Sequence, residues 1–138
     1  MDSKTARSIM RPADSVSLKP HLTLDKVSDH LSERHLAGAP VVDNNNTLIG
    51  YISEYDCLQQ LMQASYYSDN TALAEDVMST KAIMSGPDIT VMDLASAMNK
   101  DKINVMPIVD GDKLIGAVTR GDVMRALVKD MELCKVPV

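Results

Sequence analysis

The sequence has no Trp and no Phe, two Cys, three His and six Gly in 138 residues. Each scarcity excludes something. Two isolated thiols, Cys57 and Cys134, make neither a disulfide framework nor a zinc site, and a reducing cytoplasm is the expected location. His21, His30 and His35 lack ligand spacing, so no metal site is expected. No apolar run is long enough to span a bilayer, and the opening MDSKTARSIM lacks the apolar core of a secretory leader. Positive charge is in deficit: the net charge is −5 and the pI about 5.0. That argues against nucleic-acid binding, which needs a basic footprint, but leaves room for a small anion held by a few local donors. No phosphate-cradling loop and no Ser/His/Asp set with a supporting motif is present, so catalysis is not expected.

What is present suits an ordinary folded domain. The chain is 45% apolar and 24% charged. Ten Met residues take the gap-filling role that Phe and Trp leave open. Their alternative use is an adaptable surface for a partner.

The chain is a repeat. Shifted by 67 positions, Leu36 to Asp43 falls on Ile103 to Asp110, Pro20 on Pro87 and Thr23 on Thr90. Beyond Asp43 the offset drops to 66, because the turn DNNNTL is one residue longer than DGDKL. LIGYISEYD, from Leu48, then matches LIGAVTRGD, from Leu114. Each half begins with a short helical segment (TARSIM; LAEDVM) and an extended piece (SVSLKP; AIMSGP). A helix starting at Thr23 or Thr90 follows, with Leu24, Val27 and Leu31, or Val91, Leu94, Ala95 and Met98, on one face. Two short apolar runs separated by turn residues then read as a hairpin, covered on both sides. The last helix starts after Ser53 or Thr119, and its apolar positions pair as Cys57/Val123, Leu58/Met124, Leu61/Leu127 and Met62/Val128, an expected core stripe. The expectation is an α/β (α+β) fold of two pseudo-symmetric β-α-β-β-α units packed sheet to sheet. Its parts are 1–66, a linker at 67–73, 74–131 and a tail at 132–138. About sixty residues is marginal for an independent core, so the halves should bury their sheets against each other around a shared cleft.

The recurring Ser/Thr-x-x-Asp has two readings. As a helix cap, the hydroxyl accepts from a first-turn N–H and the carboxylate reaches back. As a ligand site, the helix N-terminus favours a phosphate and the carboxylate accepts a ribose cis-diol. The two roles can coexist.

The doubled pattern of a Pro-containing strand ending in Asp, then Leu-Ile-Gly-x-x-Ser/Thr-x-x-Asp opening a helix, resembles a tandem pair of CBS domains, the Bateman module, over about residues 5–130. The resemblance implies a non-catalytic regulatory module that binds AMP, ADP, ATP, S-adenosylmethionine or NAD-type ligands between the repeats and pairs into disc-like homodimers. It implies ribose contacts from Asp56 and Asp122 and ribose–phosphate contacts from Ser53 and Thr119. Base contacts would come from Gly38, Ala39 and Pro40, from Val105, Met106 and Pro107, and from the lead-in at Lys81 and Ala82. No resident cofactor is implied, only a regulatory adenine nucleotide. Tyr55 and Gly121 stand where the family often has a basic residue, which weighs against polyphosphates.

The copies differ in charge. Arg120 and Lys81 of the second repeat correspond to Glu54 and Asp14 of the first. If each cleft is built by its own repeat, the Thr119–Asp122 cleft is the expected main site, and the other is empty, weaker or suited to a less anionic ligand. The tail MELCKVPV is too short for an effector domain, so output is expected to pass to a separate protein. The rival expectation is a constitutive dimerisation scaffold with vacant clefts.

Overall fold

A computed structural model describes residues 4–67 and 72–133. Most of the expected linker and the tail from Cys134 onward lie outside the described residues. The first half contains α1 (Ala6–Ile9), β1 (Arg11–Pro12), α2 (Ala13–Val16), α3 (Leu24–Glu33), β2 (Gly38–Val42), β3 (Leu48–Ser53) and α4 (Glu54–Tyr67). The second contains α5 (Ala74–Val77), α6 (Val91–Lys100), β4 (Val105–Asp110), β5 (Lys113–Thr119) and α7 (Arg120–Leu133). The expected mixed α/β architecture is present, with two antiparallel hairpins facing each other.

The local signals act as their chemistry requires. Thr90 caps α6, its hydroxyl accepting from the Asp93 N–H at 3.1 Å. Thr23 stands at the same place on α3, but its hydroxyl engages the Asp25 side chain and lowers that carboxyl's pKa. Both hairpins carry a register shift at the same point, between Val41 and Val42 and between Ile108 and Val109. The inner strands are buried on both faces, β2 entirely and β4 up to Asp110.

The expected first strand of each half is much shorter than SVSLKP and AIMSGP imply. It is a single parallel bridge, Leu18 to Val41 in one half and Ser85 to Ile108 in the other. Leu18 N–H donates to the Pro40 carbonyl at 2.9 Å, and Ser85 N–H to that of Pro107 at 3.0 Å. Pro20 and Pro87 follow two residues later and have no N–H to extend the ladder. Ahead of Leu18 the chain turns helical after Pro12, whose carbonyl accepts the Ser15 hydroxyl.

The lead-in segments are exchanged between the halves. β1, from the first lead-in, pairs with β5, Arg11 opposite Ala117 and Pro12 opposite Gly116. In the mirror arrangement Ser79, from the second lead-in, exchanges two 2.8 Å backbone hydrogen bonds with Tyr51 of β3. Ala6 is buried in the core built by α6, β4, β5 and α7, while Ala74 is buried in the core built by α3, β2 and β3. A third cluster, Ala13, Val42, Val109 and Leu114, fills the space between the two hairpins. Neither half has a complete core without the other's lead-in.

The exchange explains the glycine in each LIG string. A Cβ on Gly116 would stand 2.5 Å from the Arg11 carbonyl oxygen and 2.8 Å from Met10 Sδ. A Cβ on Gly50 would stand 2.5 Å from Met78 Sδ and 3.0 Å from the Ser79 carbonyl oxygen. A side chain at either position would push the crossing segment away.

The final helices correct one expectation. Of the paired apolar positions, Cys57 and Val123 are buried, at 4% and 5% exposure, and Leu61 and Leu127 are half-buried. Leu58, Met62, Met124 and Val128 are exposed, from 53% to 65%. The seam against α3 or α6 is one residue wide per turn, so the rest of the stripe faces outward.

Gly116→Ala meets a backbone oxygen, whereas Gly50→Ala meets first the end of a flexible Met side chain. Gly116→Ala is therefore expected to destabilise by about 2–3 kcal/mol and Gly50→Ala by about 1 kcal/mol. Urea midpoints at unchanged m-value report the difference. Equal losses would mean that the two crossings are equally tolerant.

Candidate functional site

The exchange builds a cleft from both halves. It has a volume of about 200 Å³ and is lined by Tyr51 and Ser53 of β3, by Ser79, Lys81, Ala82 and Ile83 of the second lead-in, and by Lys102, Ile103, Asn104 and Val105 ahead of and in β4. Lys102 follows the end of α6 with a left-handed backbone, φ 55°, which turns the chain from the helix into β4. The cleft therefore has an apolar wall, two ammonium groups and, at the start of α4, a helix N-terminus.

Both Ser/Thr-x-x-Asp motifs are closed capping boxes. Asp56 N–H donates to Ser53 Oγ at 3.1 Å, and Ser53 N–H donates to Asp56 Oδ2 at 3.0 Å. Asp122 and Thr119 repeat this at 3.1 and 3.0 Å. The backbone geometry is the same, but the surroundings of the second carboxylate oxygen differ. Asp56 Oδ1 receives no hydrogen bond from the described residues. Asp122 Oδ1 accepts from Arg125 at 2.6 Å and from Arg11 Nη2 at 3.3 Å, while Oδ2 also accepts from Arg11 Nε at 3.1 Å.

The electrostatics follow. Burial pushes the Asp122 carboxyl up, but the Thr119 N–H and the Arg11 guanidinium outweigh burial and hold it below its ordinary value. On the other side, burial pushes the Tyr51 phenol up to about 12, with the Asp56 and Glu54 charges adding to the rise. Tyr51 is thus a neutral hydroxyl at any physiological pH. Burial first, then the same two carboxylates, push the Cys57 thiol up to about 11.

Arg11 occupies the place that Ser79 holds in the lined cleft, since each pairs with the corresponding β-strand residue, Ala117 or Tyr51. It continues past Asp122 to donate to the Arg34 carbonyl at 3.2 Å. The Arg34 guanidinium in turn donates to the carbonyls of Asp14 and Ser15. Two guanidinium groups thus bridge the Thr119 side of the pseudo-two-fold, where the Ser53 side is open.

The expected residues divide accordingly. Ser53, Lys81, Ala82 and Val105 line one cleft, and Asp56 is held by Ser53 within electrostatic reach of Tyr51. The expected grouping of Lys81 and Arg120 with Thr119 and Asp122 is not what the fold brings together. Lys81 crosses to Ser53, and Arg120 lines a groove between α6 and α7. Met106 is buried in the second core, and Ala39 in the first. Gly38 pairs with Ser53, and the carbonyls of Pro40 and Pro107 receive the Leu18 and Ser85 bridges. Sequence reasoning missed Tyr51, Ser79, Lys102 and Asn104 in the cleft, and Arg11 and Arg34 opposite. The available signal was Met10-Arg11 matching Met78-Ser79 at an offset of 68 instead of 67.

Arg11→Ala is expected to lower stability by about 1–3 kcal/mol at pH 7, as hydrogen bonds to a charged group are lost. Because the folded Asp122 value is depressed, this contribution is complete above the unfolded value of about 3.9 and fades as pH falls through the folded value. Denaturation at pH 7 and pH 3 should show the gap between wild type and variant narrowing in acid. A gap independent of pH would mean that Arg11 stabilises by packing alone.

A family model for the CBS domain matches residues 6–63 and 74–129. The chain is 29% identical to the CBS domain-containing protein CBSX2, chloroplastic, of Arabidopsis thaliana, covering 88% of this chain and 63% of that protein. It is 32% identical to the uncharacterized protein MJ1426 of Methanocaldococcus jannaschii, covering 67% of this chain and 74% of the relative. A further relative from that organism, MJ1225, is spanned over only 44% of its length. The crystal structure of CBSX2 in complex with AMP superposes with a TM-score of 0.79 at 29% identity, covering 93% of this chain and 98% of the other. The CBS domains of a transcriptional regulator from Streptococcus pneumoniae share the fold with a TM-score of 0.77 at 21% identity, over 90% and 99% of the two chains. No helix of the described residues is long and apolar enough to cross a membrane. Matched in both halves, with the lead-ins exchanged across a composite cleft, the chain belongs to the CBS domain family as a tandem pair.

Proposed function

We propose that this chain is a non-catalytic regulatory module that binds an adenosine-containing ligand, of AMP type in the first instance, in the cleft of Ser53, Asp56, Lys81 and Lys102. The observation that carries this reading is the difference between the two capping boxes. Asp56 keeps one carboxylate oxygen unclaimed by the described residues beside an open cleft, and Asp122 spends both of its oxygens on Arg11, Arg125 and Thr119. In this reading Asp56 accepts the ribose hydroxyls, Ser53 and the first turn of α4 approach the ribose–phosphate, and Ala82, Ile83 and Val105 hold the base. Lys81 and Lys102 neutralise the phosphate. The AMP bound by CBSX2 supports the ligand class. The absence of a basic residue at Tyr55 favours a monophosphate over a polyphosphate such as ATP.

Regulation would proceed by population shift: the ligand binds one arrangement of the two halves better than another, and a separate effector protein reads the difference. The exposed apolar stripes of α4 and α7 support self-association, so the acting unit is a homodimer. A second reading, a constitutive scaffold with vacant clefts, draws on the fact that both motifs are complete as caps without any ligand.

Calorimetric titration with AMP, ADP, ATP, S-adenosylmethionine and NADH separates the readings. AMP is expected to bind once per chain, and Asp56→Ala to weaken it about tenfold or more, the loss of hydrogen bonds to a charged group. Lys81→Ala should weaken AMP but leave adenosine unchanged. Asp122→Ala should lower stability with AMP affinity retained. Loss confined to Asp122→Ala would move the site to the Thr119 side, and a panel without heat would favour the scaffold.

A further inference from the structure

We propose that Tyr51 is a specificity-determining residue: its hydroxyl takes one of the two ribose hydroxyls while Asp56 Oδ1 takes the other, so that the cleft selects ribose over deoxy sugars. This role rests on the nucleotide-binding reading of the cleft given above and deepens it.

Tyr51 and Ser53 stand two residues apart on β3, so their side chains leave the same face of the strand, and both line the cleft. Across the hairpin, Tyr51 is paired with Pro40 and Ser53 with Gly38. The Tyr51 ring leans along the strand toward Gly38. A Cβ on Gly38 would collide with the Tyr51 hydroxyl and stand 2.6 Å from Cζ. Gly38 therefore leaves the space that the phenol fills. The hydroxyl is thereby set at the Ser53 end of β3, where α4 begins and Asp56 is held by its cap.

The other repeat shows that this is a matched exchange of large and small residues. Val105 and Ala117 are the equivalents of Gly38 and Tyr51. The crossing lead-in sets the short Ser79 against Tyr51 and the long Arg11 against Ala117. Each crossing thus carries one long side chain with a polar end, directed to the carboxylate of the capping box. The outcomes differ. The Arg11 guanidinium bonds both oxygens of Asp122 and occupies the space. Tyr51 lies within electrostatic reach of Asp56, but its hydroxyl makes no hydrogen bond to that carboxylate or to any other described residue.

The Ser53 side therefore offers a carboxylate oxygen, which only accepts, and a phenol, which both donates and accepts. A vicinal diol matches that pair: one hydroxyl donates to Asp56 Oδ1 and its neighbour bonds Tyr51 Oη. The phenol stays neutral, because burial and the Asp56 and Glu54 charges push its pKa up to about 12. It supplies a hydroxyl without adding a third negative charge to that end of the cleft. A site built to bond a hydroxyl rejects the analogue lacking it, since its own polar groups are then left unpaired.

The test is calorimetric titration of the full chain with AMP, 2′-deoxy-AMP and 3′-deoxy-AMP. Wild type is expected to prefer AMP to both deoxy analogues. Tyr51→Phe keeps the ring and removes only the hydroxyl. It should weaken AMP about three- to tenfold and leave one deoxy analogue unchanged, the one whose missing hydroxyl is the partner of Tyr51. Gly38→Ala drives the phenol from its place and should narrow the same gap. Equal losses for all three nucleotides in Tyr51→Phe, or no loss for any, would overturn the role: the phenol would then act elsewhere on the ligand or by packing alone. AMP binding that is lost in Asp56→Ala and indifferent to Tyr51→Phe would overturn the role of Tyr51 and keep the nucleotide site. No heat from AMP with wild type would overturn both.

Discussion

Every other feature of this molecule depends on the close antiparallel approach of each lead-in to the outer strand of the opposite repeat. At Gly116 and Gly50 the backbones come near enough that a methyl group would collide with the crossing segment. Because the approach is so close, Ala6 and Ala74 reach cores that belong to the other half. Each half, marginal in size alone, thereby becomes part of one interlocked unit. The same crossing makes every cleft composite: a motif from one repeat faces a lead-in from the other.

That composite construction turns a small sequence difference into a chemical one. The two capping boxes are superposable in their hydrogen bonding, and the backbone leading to each is the same. What differs is the residue that the exchanged lead-in delivers. On one side it is Arg11, long enough to chelate Asp122 and reach the end of α3. On the other it is Ser79, whose hydroxyl accepts from the Lys81 N–H and makes no hydrogen bond to the Asp56 carboxylate, and Lys81 itself lines the cleft. A duplicated scaffold with one bridged side and one open side needs no change in fold, only a change in the residues that cross.

The helix faces carry the same asymmetry outward. Glu54 and Arg120 are equivalent in the repeat and opposite in charge, and each stands at the rim of an apolar groove. Lys102 lines both the open cleft and the α6/α7 groove. A phosphate that draws this ammonium group inward would alter the rim of the groove, which gives occupancy a direct physical route to the exposed face.

Much of this was legible in the sequence, for a reason tied to distance along the chain. The hairpins, the Thr90 cap and the two Ser/Thr-x-x-Asp boxes depend on residues three to a few positions apart, and those patterns stand in the sequence unaided. The duplication itself, and with it the pseudo-two-fold, is visible as two LIG strings. Tertiary structure alone decided which lead-in meets which motif, because the Arg11–Asp122 contact closes over 111 residues and no local pattern encodes it. The same holds for α4 and α7. Helical period shows that Leu58, Met62, Met124 and Val128 share a stripe with Cys57 and Val123, but whether a neighbour covers that stripe depends on where the other helices lie. Periodicity records that a face is apolar; packing determines whether it is core or surface.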